Sequence, residues 1–329
     1  MSRALARRDK GPVVPAVIAD AGDVAARRFL EFFVANYRNK NTRSAYAHAV
    51  ALFMRWCEGR GLTLRSLDTI AVSAYAEELT GEMSAPSVNV HLTAIRKCLQ
   101  WLVDGDILQA NPATLVRGPK HKTKKGKTPV LSAEETRILL DSIETEREEK
   151  DGTKTPDLRG LRDRALIATL VFQVARISAV LKMKVQDYYP EGKRWRVRFH
   201  EKGSKYHELP AHPTAEEYLD AYIAAAGIAE DRKGLLFRSS PGASRTLTAK
   251  ALSRRNALHM IERRAKAAGI RGRVCCHTFR ATGITNYLEN GGTIEKARAM
   301  AAHESSETTE LYNRTDDEVT FDEILRIRI

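Results

Sequence analysis

A series of cationic and imidazole side chains runs along the second half of the chain and ends in a tyrosine. Its members, in order, are Arg176, Lys202, His277, Arg280, His303 and Tyr312. Two arginines can each hold oxygens of one phosphodiester with a planar fork, a lysine can protonate a departing oxygen, and imidazoles can move protons near neutral pH. A tyrosine that attacks phosphorus forms a covalent phosphotyrosine, which stores the bond for rejoining. The series therefore predicts phosphoryl transfer on DNA that requires neither a metal ion nor a cofactor.

The order of these residues resembles that of the tyrosine recombinases, the phage integrase family. The family's pattern is an arginine, a lysine in a β-hairpin, an HxxR motif, a second histidine and a tyrosine about nine residues later. His277-Thr278-Phe279-Arg280 matches the HxxR motif, and Tyr312 follows His303 by nine residues. The resemblance extends over about residues 23–312. It implies that the whole series is catalytic, with Tyr312 as the nucleophile and a 3′-phosphotyrosine intermediate.

The chain departs from the family's pattern around the first arginine of the series. The family has Thr-Gly immediately before this arginine and an acidic residue three positions after it, where this chain has Val174-Ala175 and Ala179. Ala302 also stands where the family prefers glycine, just before the second histidine. The sequence therefore leaves open what supports the side chain of Arg176.

Composition agrees with a polyanionic partner. The 329 residues carry a net charge of +13, which favours DNA through counterion release, with an anionic membrane surface as the other candidate. The sequence has no apolar run near the roughly 20 residues of a spanning helix and no apolar signal segment at its start, so we expect a soluble, cytoplasmic protein. The four cysteines lack zinc-binding spacing and are expected to be reduced. GxxxxGK[ST] and HExxH motifs are absent from the sequence.

The first third of the chain has helical periodicity. Apolar stripes such as Tyr46, Val50, Phe53 and Cys57 recur at helical spacing, and helices are also predicted over 23–37, over 68–80 and from Ser84 onward. We therefore predict a flexible tail over 1–20 and a four-helix domain over 21–112, which resembles the family's SAM-like core-binding domain. Cations that lie off the apolar stripes could face phosphates, although an ordinary solvated helix surface is the alternative. The residues predicted to bind nucleic acid are Arg43, Arg55, Arg96 and Lys97.

Two segments of opposite charge flank the remaining domain. Residues 113–130 form a basic linker, which is predicted to lie along the DNA backbone; a solvated tether is the alternative. Its predicted DNA contacts are Lys122, Lys124, Lys125 and Lys127. Residues 313–329 are acidic and apolar, with Phe321, Ile324, Leu325 and Ile329 near one helical face. The resemblance implies that this tail is exchanged between protomers; folding back onto its own subunit is the alternative.

The predicted catalytic domain spans 131–312. Ser132 and Glu135 form a capping-box pattern, and helices are predicted over 161–174, 247–268, 278–289 and 293–301. Between them, alternation over 194–199 and a return strand over 207–210 predict a β-hairpin. Its turn, 201–205, holds Lys202, which the resemblance favours over Lys205 as the acid. The fold class is therefore mainly α with a small antiparallel β-sheet (α+β).

The resemblance implies a site-specific DNA recombinase that integrates, excises or resolves a mobile element. Its expected partners are double-stranded DNA with inverted-repeat core sites and further copies of the chain, which form a tetramer in the synaptic complex. Three alternatives remain open at this stage: a type IB topoisomerase-like activity, a recombinase-like transposase, and a non-enzymatic DNA-binding protein on a decayed scaffold. The DNA target sequence does not follow from any motif.

Overall fold

The protein divides into two compact units, Met1–Lys122 and Thr123–Ile329. The computed structural model describes residues 14–121, 128–200, 206–242, 246–303 and 306–312. Among these residues, no helix is both long enough and apolar enough to cross a bilayer.

The first unit is helical. Its helices are α1 (Ala16–Ala19), α2 (Asp23–Asn36), α3 (Lys40–Glu58), α4 (Thr69–Glu82) and α5 (Ala85–Val103). Asn39 and Asp68 cap α3 and α4, because each side chain accepts main-chain N–H bonds from the first helical turn. Apolar side chains from α2, α3 and α5 fill the core, among them Phe29, Phe33, Phe53, Ile95 and Leu99. The predicted helical N-terminal fold is confirmed.

The second unit combines helices with two small sheets. Its helices are α6 (Ala133–Asp141), α7 (Leu158–Phe172), α8 (Ile177–Val180), α9 (Pro213–Ala226), α10 (Arg254–Ala267), α11 (Cys276–Glu289), α12 (Ile294–Ala301) and α13 (Ser306–Glu310). Its strands are β1 (Glu146–Glu148), β2 (Lys154–Pro156), β3 (Tyr188–Glu191), β4 (Arg194–His200) and β5 (Tyr206–Pro210). The capping box of α6 is present, since Ser132 and Glu135 exchange side-chain to main-chain hydrogen bonds. The mainly helical α+β class is confirmed.

Helix α7 lies in the core of this unit. Leu166, Ile167 and Leu170 are fully buried in its apolar cluster. Near its first turns, the buried carboxylate of Asp163 accepts hydrogen bonds from Arg162 and from Arg264 of α10. A buried carboxylate requires such partners, because an unpaired buried charge is strongly unfavourable. The network therefore links α7 to α10 as α7 runs toward Arg176.

The larger sheet has the antiparallel order β3-β4-β5. In β4, Val197 and Phe199 are buried while Arg196 and Arg198 are more exposed, as the alternation predicts. Strand β5 pairs with β4 and places Leu209 opposite Val197. The predicted hairpin is confirmed, and β3, which directly follows Asp187, adds a third strand. The β1–β2 pair was not predicted.

The helix predicted over 247–268 begins later than expected. Ser253 caps α10, which starts at Arg254. The preceding residues pair instead with the segment before them: the N–H groups of Thr248 and Leu252 donate to the carbonyls of Ser239 and Phe237. These main-chain hydrogen bonds prevent a helix over 248–252, so the predicted start of the helix at Leu247 was wrong.

Candidate active site

Helix α11 carries the HxxR motif. Its N-terminal turn is closed by Thr278, whose hydroxyl accepts from the N–H of Cys275 at 3.1 Å. His277, at the start of the helix, is more exposed than Arg280, which is 1% exposed. The spacing of three residues places both on one side of the helix. Gly283 allows the close approach of α11 to the end of α7, because an added Cβ would lie 2.1 Å from the Val171 carbonyl oxygen.

The buried guanidinium of Arg280 is held by main-chain oxygens. Its Nη1 donates to the Val174 carbonyl at 2.5 Å, and its Nη2 donates to the Ala301 carbonyl. Val174 has φ = 42°, in the left-handed region that is unusual for a β-branched residue. The chain therefore turns at Val174, two residues after the end of α7. Arg280 therefore joins the ends of α7 and α12 through their carbonyls.

The first arginine of the series is also held by a carbonyl. Arg176 is half-buried just before α8, and its Nη2 donates to the Ala302 carbonyl oxygen at 3.2 Å. Ala302 ends α12 with φ = 46°, the left-handed C-cap conformation. The buried Ala179 contributes no polar group where the family has an acidic residue. Main-chain support thus supplies the contact that the sequence left open.

His303 follows this turn and is buried. Its Nδ1 lies 2.9 Å from the hydroxyl oxygen of Thr309, which is itself fully buried on α13. Burial, together with the nearby positive charges of Arg280 and Arg176, lowers the pKa of His303 to about 4. The imidazole is therefore neutral at physiological pH.

Tyr312 completes the cluster and is 6% exposed. Its hydroxyl lies 2.9 Å from Nε2 of His277, and its ring stacks on His303 with centroids 5.9 Å apart at 12°. The main-chain carbonyl of Tyr312 accepts from the hydroxyl of Thr285 at 3.1 Å. Tyr312 is thus held at its hydroxyl and at its main chain.

The ionisation of this pair follows from its surroundings. Burial raises the pKa of the Tyr312 phenol, while Arg280 and Arg176 oppose the rise. Burial and the same two arginines lower the pKa of His277. At neutral pH the resting pair is therefore a phenol beside a neutral imidazole, and a proton can pass along their hydrogen bond.

Five of the six residues of the series converge: Arg176, His277, Arg280, His303 and Tyr312. Lys202 and its rival Lys205 lie outside the described residues. The sequence missed the supporting hydroxyls of Thr309 and Thr285. A weak signal for Thr309 existed, because it lies three residues before Tyr312 and so shares a helical side with it. Among the described residues, no group of three or more His, Cys, Asp or Glu side chains could hold a metal ion.

The residues predicted to bind nucleic acid in the first unit fall into two groups. Arg43 donates twice to the Tyr37 carbonyl, and Arg96 donates to the carbonyls of Ala113 and Val116. One edge of each guanidinium therefore has a structural role. Phosphate binding by either remains a prediction.

Two other predicted DNA contacts, Arg55 and Lys97, have exposed side chains. The linker lysines, Lys122, Lys124, Lys125 and Lys127, lie outside the described residues.

A cavity of about 680 Å³ opens beside the cluster in the second unit. Helices α6, α7, α9 and α11 supply its walls, and Leu140, Phe172 and Tyr218 contribute apolar surface. Asn286 of α11 is an exposed residue in its lining. Val174 and Met300, which also line the cavity, belong to the apolar cluster that packs around Tyr312.

Comparison with known proteins identifies the family. The profile of the phage integrase family matches residues 129–319, and that of the phage integrase N-terminal SAM-like domain matches residues 26–105. The chain belongs to the phage integrase family. This tyrosine recombinase is therefore an enzyme, and the family predicted from the HxxR motif is confirmed.

Relatives of this recombinase align with it over most of their length. Tyrosine recombinase XerD of Ralstonia nicotianae is 24% identical over 277 residues, which cover 83% of each chain. Tyrosine recombinase XerD of Corynebacterium glutamicum is 28% identical over 284 residues, covering 83% of this chain and 86% of the relative.

Solved structures share the fold of the recombinase. XerH bound to palindromic difH in a post-cleavage complex has a TM-score of 0.67 at 18% identity, covering 84% of this chain and 76% of that one. A lambda integrase dimer bound to a COC′ core site, comprising residues 75–356 of that protein, has a TM-score of 0.66 at 16% identity, covering 90% and 97%. A lambda integrase tetramer bound to a Holliday junction has a TM-score of 0.64 at 15% identity, covering 92% and 82%.

Proposed function

We propose that this recombinase cuts and rejoins double-stranded DNA at specific sites, with Tyr312 as the nucleophile. The observation that carries the proposal is the 2.9 Å contact between the Tyr312 hydroxyl and Nε2 of His277. A nucleophile paired with a neutral base, beside two guanidinium groups, is the arrangement that metal-free phosphoryl transfer requires.

In the proposed cleavage step, the Tyr312 oxygen forms a bond to phosphorus as the bond from phosphorus to the 5′ oxygen breaks. The phenolic proton passes to Nε2 of His277; the lowered pKa keeps this imidazole neutral in the resting enzyme, and the step uses the tautomer that carries its hydrogen on Nδ1. Lys202, carried over from the family's pattern, gives a proton to the departing 5′ oxygen. The product is a 3′-phosphotyrosine, and a 5′ hydroxyl attacking it reverses the step without ATP.

The two arginines would stabilise the charge that develops on the scissile phosphate. Arg176 and Arg280 each use part of a guanidinium on a backbone carbonyl, which fixes its position before substrate arrives. Such preorganised donors stabilise the transition state without reorganisation during the reaction. His303 would add a further donor from Nε2, since its Nδ1 is engaged with Thr309.

The two units would divide DNA binding and chemistry. We propose a core-binding domain over 21–112 and a catalytic domain over 131–312, after a tail over 1–20 and joined by the basic linker over 113–130. The two family matches, which fall within or near these ranges, support this division. Exposed Arg55 and Lys97 would contact phosphates in the first domain, with the linker lysines continuing the path.

The active assembly would be a tetramer on two inverted-repeat core sites. We propose that the tail, 313–329, packs against a neighbouring protomer and that its apolar residues enter the cavity lined by Leu140, Phe172 and Tyr218. The similarity to the lambda integrase tetramer supports the assembly. The apolar cavity beside the Tyr312 cluster supports the proposed binding place for the tail. Integration, excision or resolution of a mobile element is the proposed biological use.

A nicked suicide substrate tests the chemistry. On it the short 5′-hydroxyl fragment released by cleavage diffuses away, so the strand cannot be rejoined. A covalent protein–DNA adduct should therefore accumulate with the wild type, as seen on a denaturing gel. Tyr312→Phe should form no adduct while it retains DNA binding. The adduct should form in EDTA as well. Persistence of the adduct in the Phe variant would contradict the assignment, and Tyr287→Phe would be tested next. Relaxation of supercoils without exchange between two sites would instead support topoisomerase-like activity.

A further inference from the structure

The C-terminal end of α12 presents four consecutive carbonyl oxygens to four different side chains. The donors are His207 Nε2 to Met300 (2.9 Å), Arg280 Nη2 to Ala301, Arg176 Nη2 to Ala302 (3.2 Å) and Arg298 Nε to His303 (3.3 Å). The last carbonyls of a helix lack partners within the helix and carry its negative dipole end, so they attract such donors. Three of these donors are arginines. The first, His207, comes from the β-hairpin.

His207 holds the carbonyl immediately before the two that bind Arg280 and Arg176. It is half-buried on β5, 93 residues from Met300 in sequence. Because a carbonyl oxygen can only accept, Nε2 of His207 must carry a hydrogen.

Strand β5 is also anchored at its other end. With its side-chain amide oriented to satisfy both partners, Gln173 donates to the Pro210 carbonyl at 3.1 Å and accepts from the N–H of His212 at 2.7 Å. Gln173 directly precedes Val174, whose carbonyl binds Arg280. The strand therefore connects the end of α7 with the end of α12, the two segments whose carbonyls hold the arginines.

We infer that His207 is a positioning residue for the arginine pair, through its bond to the Met300 carbonyl. The inference rests on the proposed role of Arg176 and Arg280 at the scissile phosphate. Among the described residues, the side-chain hydrogen bond of His207 goes to the Met300 carbonyl, so we assign it an effect through the turn. Its bond fixes the first carbonyl of a rigid turn, and the next two carbonyls set the direction of both guanidinium groups. Loss of the donor would let this turn shift and would misalign the arginines.

The test compares an ordinary phosphodiester with a methylphosphonate at the scissile position, whose methyl group removes the negative charge that the arginines would neutralise. His207→Phe keeps a ring but lacks the donor, and His207→Gln keeps a donor. On the phosphodiester, we expect the Phe variant to cleave more slowly by on the order of tenfold with unchanged DNA affinity, and the Gln variant to recover most of the rate. On the methylphosphonate, the deficit of His207→Phe should largely disappear.

Two sets of controls separate the possible failures. Glu208→Gln alters the next residue of β5, whose side chain lies on the opposite face of the strand and pairs with Arg198; it should leave both rates unchanged. Arg176→Ala and Arg280→Ala should show the same relief on methylphosphonate. If they do not, the proposed role of the arginines fails, and the inference fails with it.

The inference alone is overturned if the arginine variants are relieved while His207→Phe shows an equal deficit on both substrates or no deficit. Thermal unfolding of each variant shows whether it is folded. Should His207→Phe not fold, His207→Asn replaces it, because its amide is one methylene shorter than that of His207→Gln and falls short of the Met300 oxygen. The Asn and Gln variants must then differ in cleavage of the phosphodiester and converge on the methylphosphonate.

Discussion

Nη2 of Arg176 donates to the carbonyl oxygen of Ala302, 126 residues away, at 3.2 Å. The direction of that carbonyl depends on the left-handed conformation of Ala302, where φ is 46°. The family's acidic residue near this arginine is replaced by Ala179, which is buried. The position of the Arg176 fork therefore depends on a backbone turn rather than on a carboxylate.

Glycine at position 302 should stabilise the protein. An L-residue in the left-handed region is strained, and Ala302→Gly should raise the free energy of unfolding by about 1 kcal/mol while keeping the turn. Ala302→Val should lower it, because β-branching increases the strain. Chemical denaturation measures both changes. Ala299→Gly, in the exposed interior of α12, is the matched control and should destabilise by about 1 kcal/mol; destabilisation by Ala302→Gly would contradict the strain argument.

Loss of either arginine should affect cleavage far more than DNA binding. Arg176→Ala and Arg280→Ala should each slow adduct formation by on the order of 10²-fold, as for removal of one preorganised donor to a developing oxyanion. Single-turnover rates on the suicide substrate, with gel-shift titrations in parallel, separate the two effects. An Arg176→Ala variant that cleaves at the wild-type rate would show that this arginine does not act on the phosphate.

Arg280→Ala should destabilise the protein more than Arg176→Ala does. Arg280 is fully buried and satisfies the carbonyls of Val174 and Ala301, so its removal leaves two buried acceptors without this donor. Each such loss costs about 1–3 kcal/mol. Arg176 is only half-buried, so water can reach the groups that its removal leaves unsatisfied, and its removal should cost less. Thermal unfolding of both variants gives the order.

Acid should destabilise the second unit through His303. Its pKa in the folded protein is about 4, below the ordinary value of 6.5. Between these values the unfolded chain binds the extra proton, so the free energy of unfolding falls as pH is lowered from 6.5 toward 4 and is insensitive to this group above that window. We expect His303→Gln to reduce the slope of stability against pH in this window, measured by chemical denaturation at several pH values.

Other histidines set the background for that experiment. Burial lowers the pKa of His91, His212 and His277 in the same direction, so a residual slope should remain in the variant. His91→Gln, in the first unit, is a suitable control because it leaves the contribution of His303 intact. A wild-type slope in the His303→Gln protein would mean that this imidazole is not held neutral by the fold.

Blocking the cavity should have the same effect as removing the tail. Asn286→Trp places a bulky ring at the cavity wall, and deletion of 320–329 removes the proposed occupant. Both should leave binding to a single site near normal and abolish pairing of two sites, as followed by native gel electrophoresis, whereas Asn286→Ala should pair them. Pairing and recombination at the wild-type rate by the truncated protein would exclude a role for the tail in assembly.

The truncation also distinguishes exchange between protomers from folding back. If the tail occupies its own subunit's cavity, deletion exposes apolar surface in the monomer and lowers its thermal midpoint. If the tail acts on a neighbour, the monomer's midpoint should not change.

Helical periodicity and the spacing of the series predicted the class of the fold and the residues that converge. The stripe through Phe53 and Cys57 became the buried side of α3, and the HxxR spacing put His277 and Arg280 on one side of α11. These signals succeed because they reside in side chains that repeat with the geometry of their element.

The supports of the site were not predictable in the same way. Arg280 and Arg176 bind carbonyls, and every residue has a carbonyl, so no residue type marks the partner. The start of α10 was misjudged, because a helix was predicted from Leu247 whereas the main chain of Thr248 and Leu252 pairs with Ser239 and Phe237. At the start of α10, main-chain pairing with a neighbouring segment therefore decided where the helix begins.

Main-chain anchoring at the end of α12 bears on how this site tolerates mutation. A carboxylate that holds an arginine is lost by a single substitution, but the oxygens of Met300 and Ala301 are present whatever residue is encoded there. A substitution at these positions can therefore alter the shape of the turn and its packing, but it does not remove the oxygens themselves. An acidic partner for Arg176 can disappear from such a lineage without loss of the arginine's anchor, and its absence from the sequence is poor evidence that the enzyme has decayed.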